Sequence, residues 1–301
     1  MKILVTGATG LIGKDLVVEL INQNHTIHYL STNKKKLNQL PNCKGFYWNP
    51  KQGIIDENCF NQVDIIVHLA GASIAQRWTP AYKKELMQSR TKTTSLLFNN
   101  LKNIPNQVKK IVSASGTAIY PDSLTAIYTE NSTEIEDSFL SNVVQKWEES
   151  VNKFQFLNIK TSVIRTGVVY ASNGGALQEI IKPIKMGVGS AFGSGKQIQS
   201  WIHLSDLVQL YSLVINSDIE GIINAVAPQK VTNQELTQAI AKRFNKTIWL
   251  PNMPQWFMKI ILGEMSILLF NSKNIQPQKA LQYNFQFQYP TLEKALDQII
   301  K

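Results

Sequence analysis

The 301 residues predict an α/β fold, a doubly wound parallel sheet with a smaller C-terminal α+β lobe. Three observations carry this expectation. The chain opens with a strand, a turn, a helix and a strand; the glycines of that opening cluster in its first turn; and two later apolar runs, "VDIIVHLAGA" and "KKIVSASGTAIYP", end in small or hydroxyl residues. Near-continuous apolar runs of this length suit strands buried on both faces, which is how parallel sheets are built.

In "KILVTGATGLIGKDLVVELINQNHTIHYL", Ile3 to Val5 form a short apolar run, and Leu11, Ile12, Leu16, Val17, Leu20 and Ile21 recur at helical spacing. Asn24-His25 marks a turn before the strand Thr26 to Leu30. Gly7, Gly10 and Gly13 stand between the first strand and the helix. Glycine permits positive φ and close backbone approach, so a pyrophosphate can lie on free N–H groups at the helix N-terminus. A glycine triplet alone says little; its place between strand and helix predicts a Rossmann-type domain.

The end of the second strand selects the dinucleotide. An Asp or Glu there would hold ribose hydroxyls and repel a 2′-phosphate. This chain instead has Ser31, Thr32, Asn33, Lys34, Lys35 and Lys36. Hydroxyls, an amide and ammonium groups favour NADP over NAD, the alternative being a solvated basic helix start.

Farther along, Asp137 or Ser138 caps a helix that runs to about Phe154. "RTGVVY" reads as a strand leading to the nicotinamide end, with Thr166, Gly167 and Val168 near the ring. The many glycines that follow, Gly174 to Gly195, suggest a mobile wall around Trp201. His203 is read as structural and Ser205 as a helix cap, and no second ligand type stands at metal spacing, so no metal is expected. Thr79-Pro80 starts a helix, placing Arg77 and Trp78 just ahead of it. Arg77 can hold a substrate carboxylate or phosphate at two points, or merely flank a packed Trp78.

The C-terminal part supplies helices and an alternating strand of Phe285, Phe287 and Tyr289, making a lobe that closes over the cleft. The division expected is a dinucleotide domain over 1–170, completed by about 199–225, and a substrate lobe over 171–198 and 226–301. "WFMKIILGEMSILLF", Trp256 to Phe270, is interrupted by Lys259, Gly263 and Glu264. It reads as helical packing within that lobe, with a subunit interface, and so a homodimer, or a substrate lid as alternatives.

Composition excludes other classes. No apolar run approaches the ~20 residues that span a bilayer, no leader-like segment opens the chain, and a cytoplasmic location is expected. The net charge of +10 comes from Lys spread among much Asn and Gln, which describes a solvated surface better than a nucleic-acid footprint. Cys43 and Cys59 lack metal or redox spacing and are read as free thiols.

Together, "TGATGLIG", "VDIIVHLAGA" and "KKIVSASGTAIYP" resemble the extended short-chain dehydrogenase/reductases, which include nucleotide-sugar epimerases and dehydratases. "AGASIAQRWTPAYKKELMQSRTKTT", "VVQKWEES", "RTGVVY", "GGALQEIIKPIKMGVGSAFGSGKQIQSWIHLSDL", "NAVAPQKVTNQEL" and "FQFQYPTLEKAL" are similar to the atypical epimerase family proteins of the YfcH type, which carry a C-terminal domain of unknown function. The resemblance implies an NADP-binding fold. It assigns Gly7, Gly10, Leu11, Ile12 and Gly13 to the pyrophosphate loop, Leu69, Ala70 and Gly71 to the segment beside the adenine ribose, and Arg90 to a position near the cofactor. Ser31-Thr32 matches a Ser-Arg pair of the narrower family, so Thr32 departs from it. The 2′-phosphate clamp then falls to Ser31, Asn33 or a following lysine such as Lys35.

Extended reductases use a Ser or Thr with a Tyr-x-x-x-Lys pair, the Lys lowering the Tyr pKa so that the phenol exchanges a proton. Only Tyr47 to Lys51 has the spacing, and Pro50 inside it forbids a helix. Aligned on Trp147-Glu148, the expected helix shows Phe139 at the Tyr position and Val143 at the Lys position; Gly116 stands at the hydroxyl position. Tyr120 is then the candidate proton donor and Ser115 the candidate carbonyl partner, with a packed aromatic and a turn hydroxyl as their plain alternatives. The Phe139, Val143 and Trp147 face is expected to wall the nicotinamide, and Arg77 and Trp201 to face the substrate. The reading is an NADP(H)-binding oxidoreductase or epimerase-like enzyme on a small carbonyl or sugar-type molecule, or a non-catalytic NADP-binding sensor.

Overall fold

A computed structural model describes residues 1–300. In chain order the strands are β1 Lys2–Thr6, β2 Thr26–Ser31, β3 Cys43–Asn49, β4 Ile54–Ile55, β5 Ile65–His68, β6 Lys110–Gly116, β7 Ile127–Tyr128, β8 Lys160–Thr166, β9 Val168–Tyr170, β10 Ile198–Gln199, β11 Trp201–His203, β12 Gly221–Ala225, β13 Val231–Thr232 and β14 Asn274–Ile275. The helices are α1 Leu11–Asn22, α2 Pro80–Asn103, α3 Phe139–Asn152, α4 Ala176–Lys185, α5 Leu204–Ile215, α6 Asn233–Arg243, α7 Gln255–Leu262, α8 Ile267–Phe270, α9 Gln278–Gln282 and α10 Leu292–Ile299.

The main sheet runs β12-β8-β6-β5-β1-β2-β3-β4, and every pairing in it is parallel except β3 with β4. The chain builds outward from β1 through β2 to β4, then returns to the other side of β1 with β5. Strand order therefore reverses between β1 and β5, and the carboxyl ends of the strands there open a crevice. Ile3, Leu4 and Val5 are fully buried, as a central strand covered on both faces requires. One core cluster joins the sheet to α1 and α5, a second joins its other face to α2 and α3.

A third cluster gathers α4, α6 and α10 around Tyr170 and Trp201 into the smaller lobe. That lobe is tied back by β14 pairing with β7, and by Asp206, which accepts the N–H groups of Gln288 (2.7 Å) and Tyr289 (3.0 Å). Because Asp206 takes those donors, Phe285 to Tyr289 form no strand, contrary to the alternation; the Phe285 and Phe287 rings meet edge-on instead. His203, and not Ser205, caps α5: its Nδ1 accepts the Ser205 N–H at 3.1 Å.

The Ser138 hydroxyl caps α3 by accepting from Ser141, and a 3-10 turn continues the helix through Leu157. Trp256 to Phe270 is less buried than its apolar content predicts. Gly263, at φ +64°, ends α7, a 3-10 turn follows, and neither α7 nor α8 has a buried residue. No helix among the described residues is long and apolar enough to cross a membrane.

Candidate cofactor and substrate site

The crevice beside β1 begins with the turn from Gly7 to Gly13. Gly7 has φ +73° and its carbonyl accepts the Gly10 N–H at 2.9 Å. No side chain caps α1, and its first intrahelical bond runs from Lys14 to Gly10. The N–H groups of Leu11, Ile12 and Gly13 therefore stand free at the positive end of the helix dipole, as a bound pyrophosphate requires. A Cβ on Gly13 would lie 2.2 Å from the Gly7 oxygen, so only glycine lets the turn close. Gly174 and Gly175 lie over Leu11, forming a second edge to this loop.

The next wall is Leu69, Ala70 and Gly71, set by a buried network that sequence reading missed. The Thr6 Oγ accepts the N–H groups of Leu69 and Ala70, each at 3.1 Å, which leaves its hydrogen to donate to His68 Nδ1 at 2.8 Å. The His68 hydrogen must then sit on Nε2, which donates to the Thr94 hydroxyl at 3.1 Å. Complete burial, with the Arg90 charge adding to it, holds the His68 pKa down to about 3. A neutral imidazole thus sets the Leu69 to Gly71 loop. Arg90 flanks the loop: it donates to Ala72 O at 3.2 Å, lies against Gly71 and covers the Trp147 ring. Burial lowers its pKa to about 10.

At the end of β2, Ser31 is buried and its Oγ accepts the Asn33 N–H. The Asn33 Oδ1 caps Lys35 at 2.9 Å, while Thr32, Lys34 and Lys35 are exposed. No carboxylate lies between Ser31 and Pro41.

The expected acid and its partner are corrected by the structure. Tyr120 has no exposed surface; its hydroxyl donates to Asn224 Oδ1 at 2.8 Å and accepts from Arg165 at 3.0 Å. Burial raises its pKa further. The Ser115 hydroxyl donates to Glu148 at 2.6 Å, and Arg165 meets the same carboxylate at two points, 2.9 and 2.8 Å. Both hydroxyls belong to an interior network joining β6, α3, β8 and β12. In this arrangement neither hydroxyl has surface free to meet a substrate.

The nicotinamide-wall expectation is also redrawn. Phe139 meets Trp78 edge-on and Trp147 lies under Arg90, so the Phe139, Val143 and Trp147 face turns toward α2. The residue that lies against Gly116 is Val144. In that register Leu140 and Val144 replace Phe139 and Val143 at a spacing of four, and neither pair holds an acid. Thr117, the residue after Gly116, is half-buried at the β6 end, its hydroxyl 3.5 Å from Thr166 O. Thr166, Gly167 and Val168 are half-buried at the β8 end, where a Cβ on Gly167 would strike Ser200 O at 2.5 Å.

Of the two expected substrate residues, Arg77 is exposed and lies beside Gly263. Trp201 is not: it is fully buried, stacked on Tyr170 at 5.1 Å, and its indole N–H donates to Gln229 O. Its alternation on β11 turns it into the lobe core. Sequence reading also passed over Lys83, whose ammonium lies 5.0 Å from the Phe139 centroid and pairs with Glu264. The His203 reading stands, since its ring caps α5 and contacts Gln298. No cluster of metal ligands occurs among the described residues.

A parallel sheet that reverses at β1, with a glycine-lined helix terminus at the reversal, defines a Rossmann-type nucleotide-binding protein. The chain belongs to the NAD dependent epimerase/dehydratase family, which matches residues 3–225, and residues 253–299 match a domain of unknown function, DUF1731. It is 35% identical to the "Epimerase family protein SDR39U1 homolog, chloroplastic" of Arabidopsis thaliana, covering all of this chain and 87% of that one. It is 33% identical to an epimerase family protein of Staphylococcus aureus (strain N315), over 99% and 98% of the two chains. The crystal structure of human epimerase family protein SDR39U1 (isoform 2) with NADPH superposes with a TM-score of 0.85 at 30% identity, covering 100% and 99%.

Proposed function

We propose that this protein binds NADPH in the β1 crevice and serves as an oxidoreductase or epimerase-like enzyme on a small carbonyl or sugar-type substrate. The observation that carries the cofactor reading is the uncapped α1 terminus joined to a β2 end with no carboxylate and three lysines. Leu11, Ile12 and Gly13 would hold the pyrophosphate, Leu69 to Gly71 the adenosine side, and Ser31, Asn33 and the lysines the 2′-phosphate. The human relative, crystallised with NADPH, supports the same choice.

NADPH, when bound, would supply a hydride, and Thr117 and Thr166 at the β6 and β8 ends would flank the substrate that takes it. The chain's part would be to hold the substrate carbonyl beside Thr117. Because α3 carries no Tyr/Lys acid pair, the proton that completes the reduction would come from water or from a group of the substrate itself. Thr117 replaces Ser115 as the hydroxyl for that carbonyl, because it alone of the two reaches the strand-end surface. Calorimetric titration with NADPH and NADH, followed by stopped-flow NADPH oxidation across a carbonyl panel, tests the reading. Preference for NADH would overturn the cofactor choice. Tight NADPH binding with no oxidation by any carbonyl would favour the second reading, a non-catalytic NADP-binding sensor, which the empty Phe139/Val143 and Leu140/Val144 registers support.

A further inference from the structure

The first turn of α2 holds a carboxylate that the cofactor reading does not use. Lys83, in the first turn of α2, places its ammonium over the Phe139 ring, and its ion-pair partner is Glu264 from the 3-10 turn after α7. That side chain is 58% exposed, whereas Lys83 is only 26% exposed. The same turn lies on Arg77: a Cβ on Gly263 would be 3.6 Å from its Nε. Under Lys83, the Phe139 ring meets the buried Trp78 ring edge-on at 5.7 Å. A partly buried ammonium on the Phe139 ring, with the Arg77 guanidinium beside the same turn, suits an acid whose apolar body can lie on that ring.

The helices on either side of Glu264 are thinly buried, although Ser266 is buried between them and Leu269 O accepts from Gln197. Neither α7 nor α8 buries a residue, and Trp256, Ile260 and Ile261 are each more than half exposed. Elements with few buried contacts open at low cost. An ion pair with one well-exposed partner is also among the weaker interactions in a protein.

We propose that Lys83 and Arg77 recognise the carboxylate of an apolar or aromatic acid, and that Glu264 occupies this site in the free protein until the ligand displaces it. The inference rests on the reading above only for the location of the cleft. It makes the substrate an acid as well as a carbonyl compound, and it makes the C-terminal segment an internal competitor.

The test is calorimetric titration of the full chain, with NADPH present, by 3-phenylpropionate and by its neutral amide. Neither probe needs hydride transfer. The acid is expected to bind and the amide to bind at least tenfold more weakly. Glu264→Gln removes the competitor and should tighten the acid roughly three- to five-fold, the range of a weak ion pair. Lys83→Met should weaken it tenfold or more. Equal binding of acid and amide, no acid binding to wild type or to Glu264→Gln, or a Glu264→Gln variant with unchanged or weaker acid affinity would overturn the proposal. NADPH affinity, measured in the same samples, is expected to be unchanged in both variants; its loss in the wild type would sink the cofactor reading instead.

Discussion

Arg165 holds Glu148 at two points inside the protein, Nε to Oε1 at 2.9 Å and a terminal nitrogen to Oε2 at 2.8 Å, joining β8 to α3. The side chains are 6% and 10% exposed. Burial works against the Arg165 charge, but the Glu148 carboxylate outweighs it and raises the guanidinium pKa. Truncating one partner strands the other. Glu148→Ala should therefore cost about 3–5 kcal/mol in denaturant unfolding, and the paired replacement of both residues by Met should cost less than the single change. A loss near zero for Glu148→Ala would contradict the structural role.

Tyr120 separates stability from catalysis. Its hydroxyl bridges Asn224 and Arg165 in the interior, so Tyr120→Phe should destabilise by about 1–3 kcal/mol while leaving the rate of NADPH oxidation unaltered. A large fall in rate without a change in unfolding midpoint would restore Tyr120 as a participant in the chemistry. Thr117→Val has the reverse expectation: little change in the midpoint, and a rate lowered about tenfold or more.

Gly13→Ala tests the phosphate loop. The added Cβ would lie 2.2 Å from a backbone oxygen, so the turn must open and carry the α1 N-terminus away from its anion. NADPH affinity measured by calorimetry should fall more than tenfold. Unchanged affinity would mean that the pyrophosphate lies elsewhere.

His68 predicts an acid-sensitive fold. Its pKa is about 3 when folded, against a model-peptide value of 6.5. Above pH 6.5 neither state holds the proton and the imidazole's contribution is complete. As pH falls from 6.5 toward 3, the unfolded chain takes up a proton that the folded chain refuses, and stability is lost by up to about 1.4 kcal/mol per unit. His68→Gln should lack that slope, so the stability difference between the wild type and the variant should change steadily with pH when both are unfolded from pH 7 to pH 4. Parallel curves would show that His68 ionises equally in both states.

Much of the cofactor half was legible because its signals are local. The glycines from Gly7 to Gly13, the apolar period of α1 and the strand ending at Ser31 all fall within one short segment, and the structure assembles them as that segment implies. The Thr79-Pro80 start of α2 and the Ser138 cap of α3 were readable for the same reason. The absence of a Tyr and Lys at a spacing of four on α3 is equally a fact of sequence, and it holds in either register of the helix.

The direction of a side chain at a strand end is not local. Tyr120 is consumed by Asn224, 104 residues away, and Ser115 by Glu148, 33 residues away. Trp201 turns into the smaller lobe because β11 pairs with β9 and stacks it on Tyr170. Lys83 gains its place only when a turn 181 positions later in the numbering, at Glu264, folds across it. The sequence by itself determined the fold class, the nucleotide-binding turn and the missing acid, since periodicity, glycine geometry and spacing act over a few residues. Which hydroxyls are buried, and which partners Lys83, Arg77 and the strand-end side chains find, were decided by the tertiary structure, because burial and partnership depend on neighbours that no local stretch of chain contains.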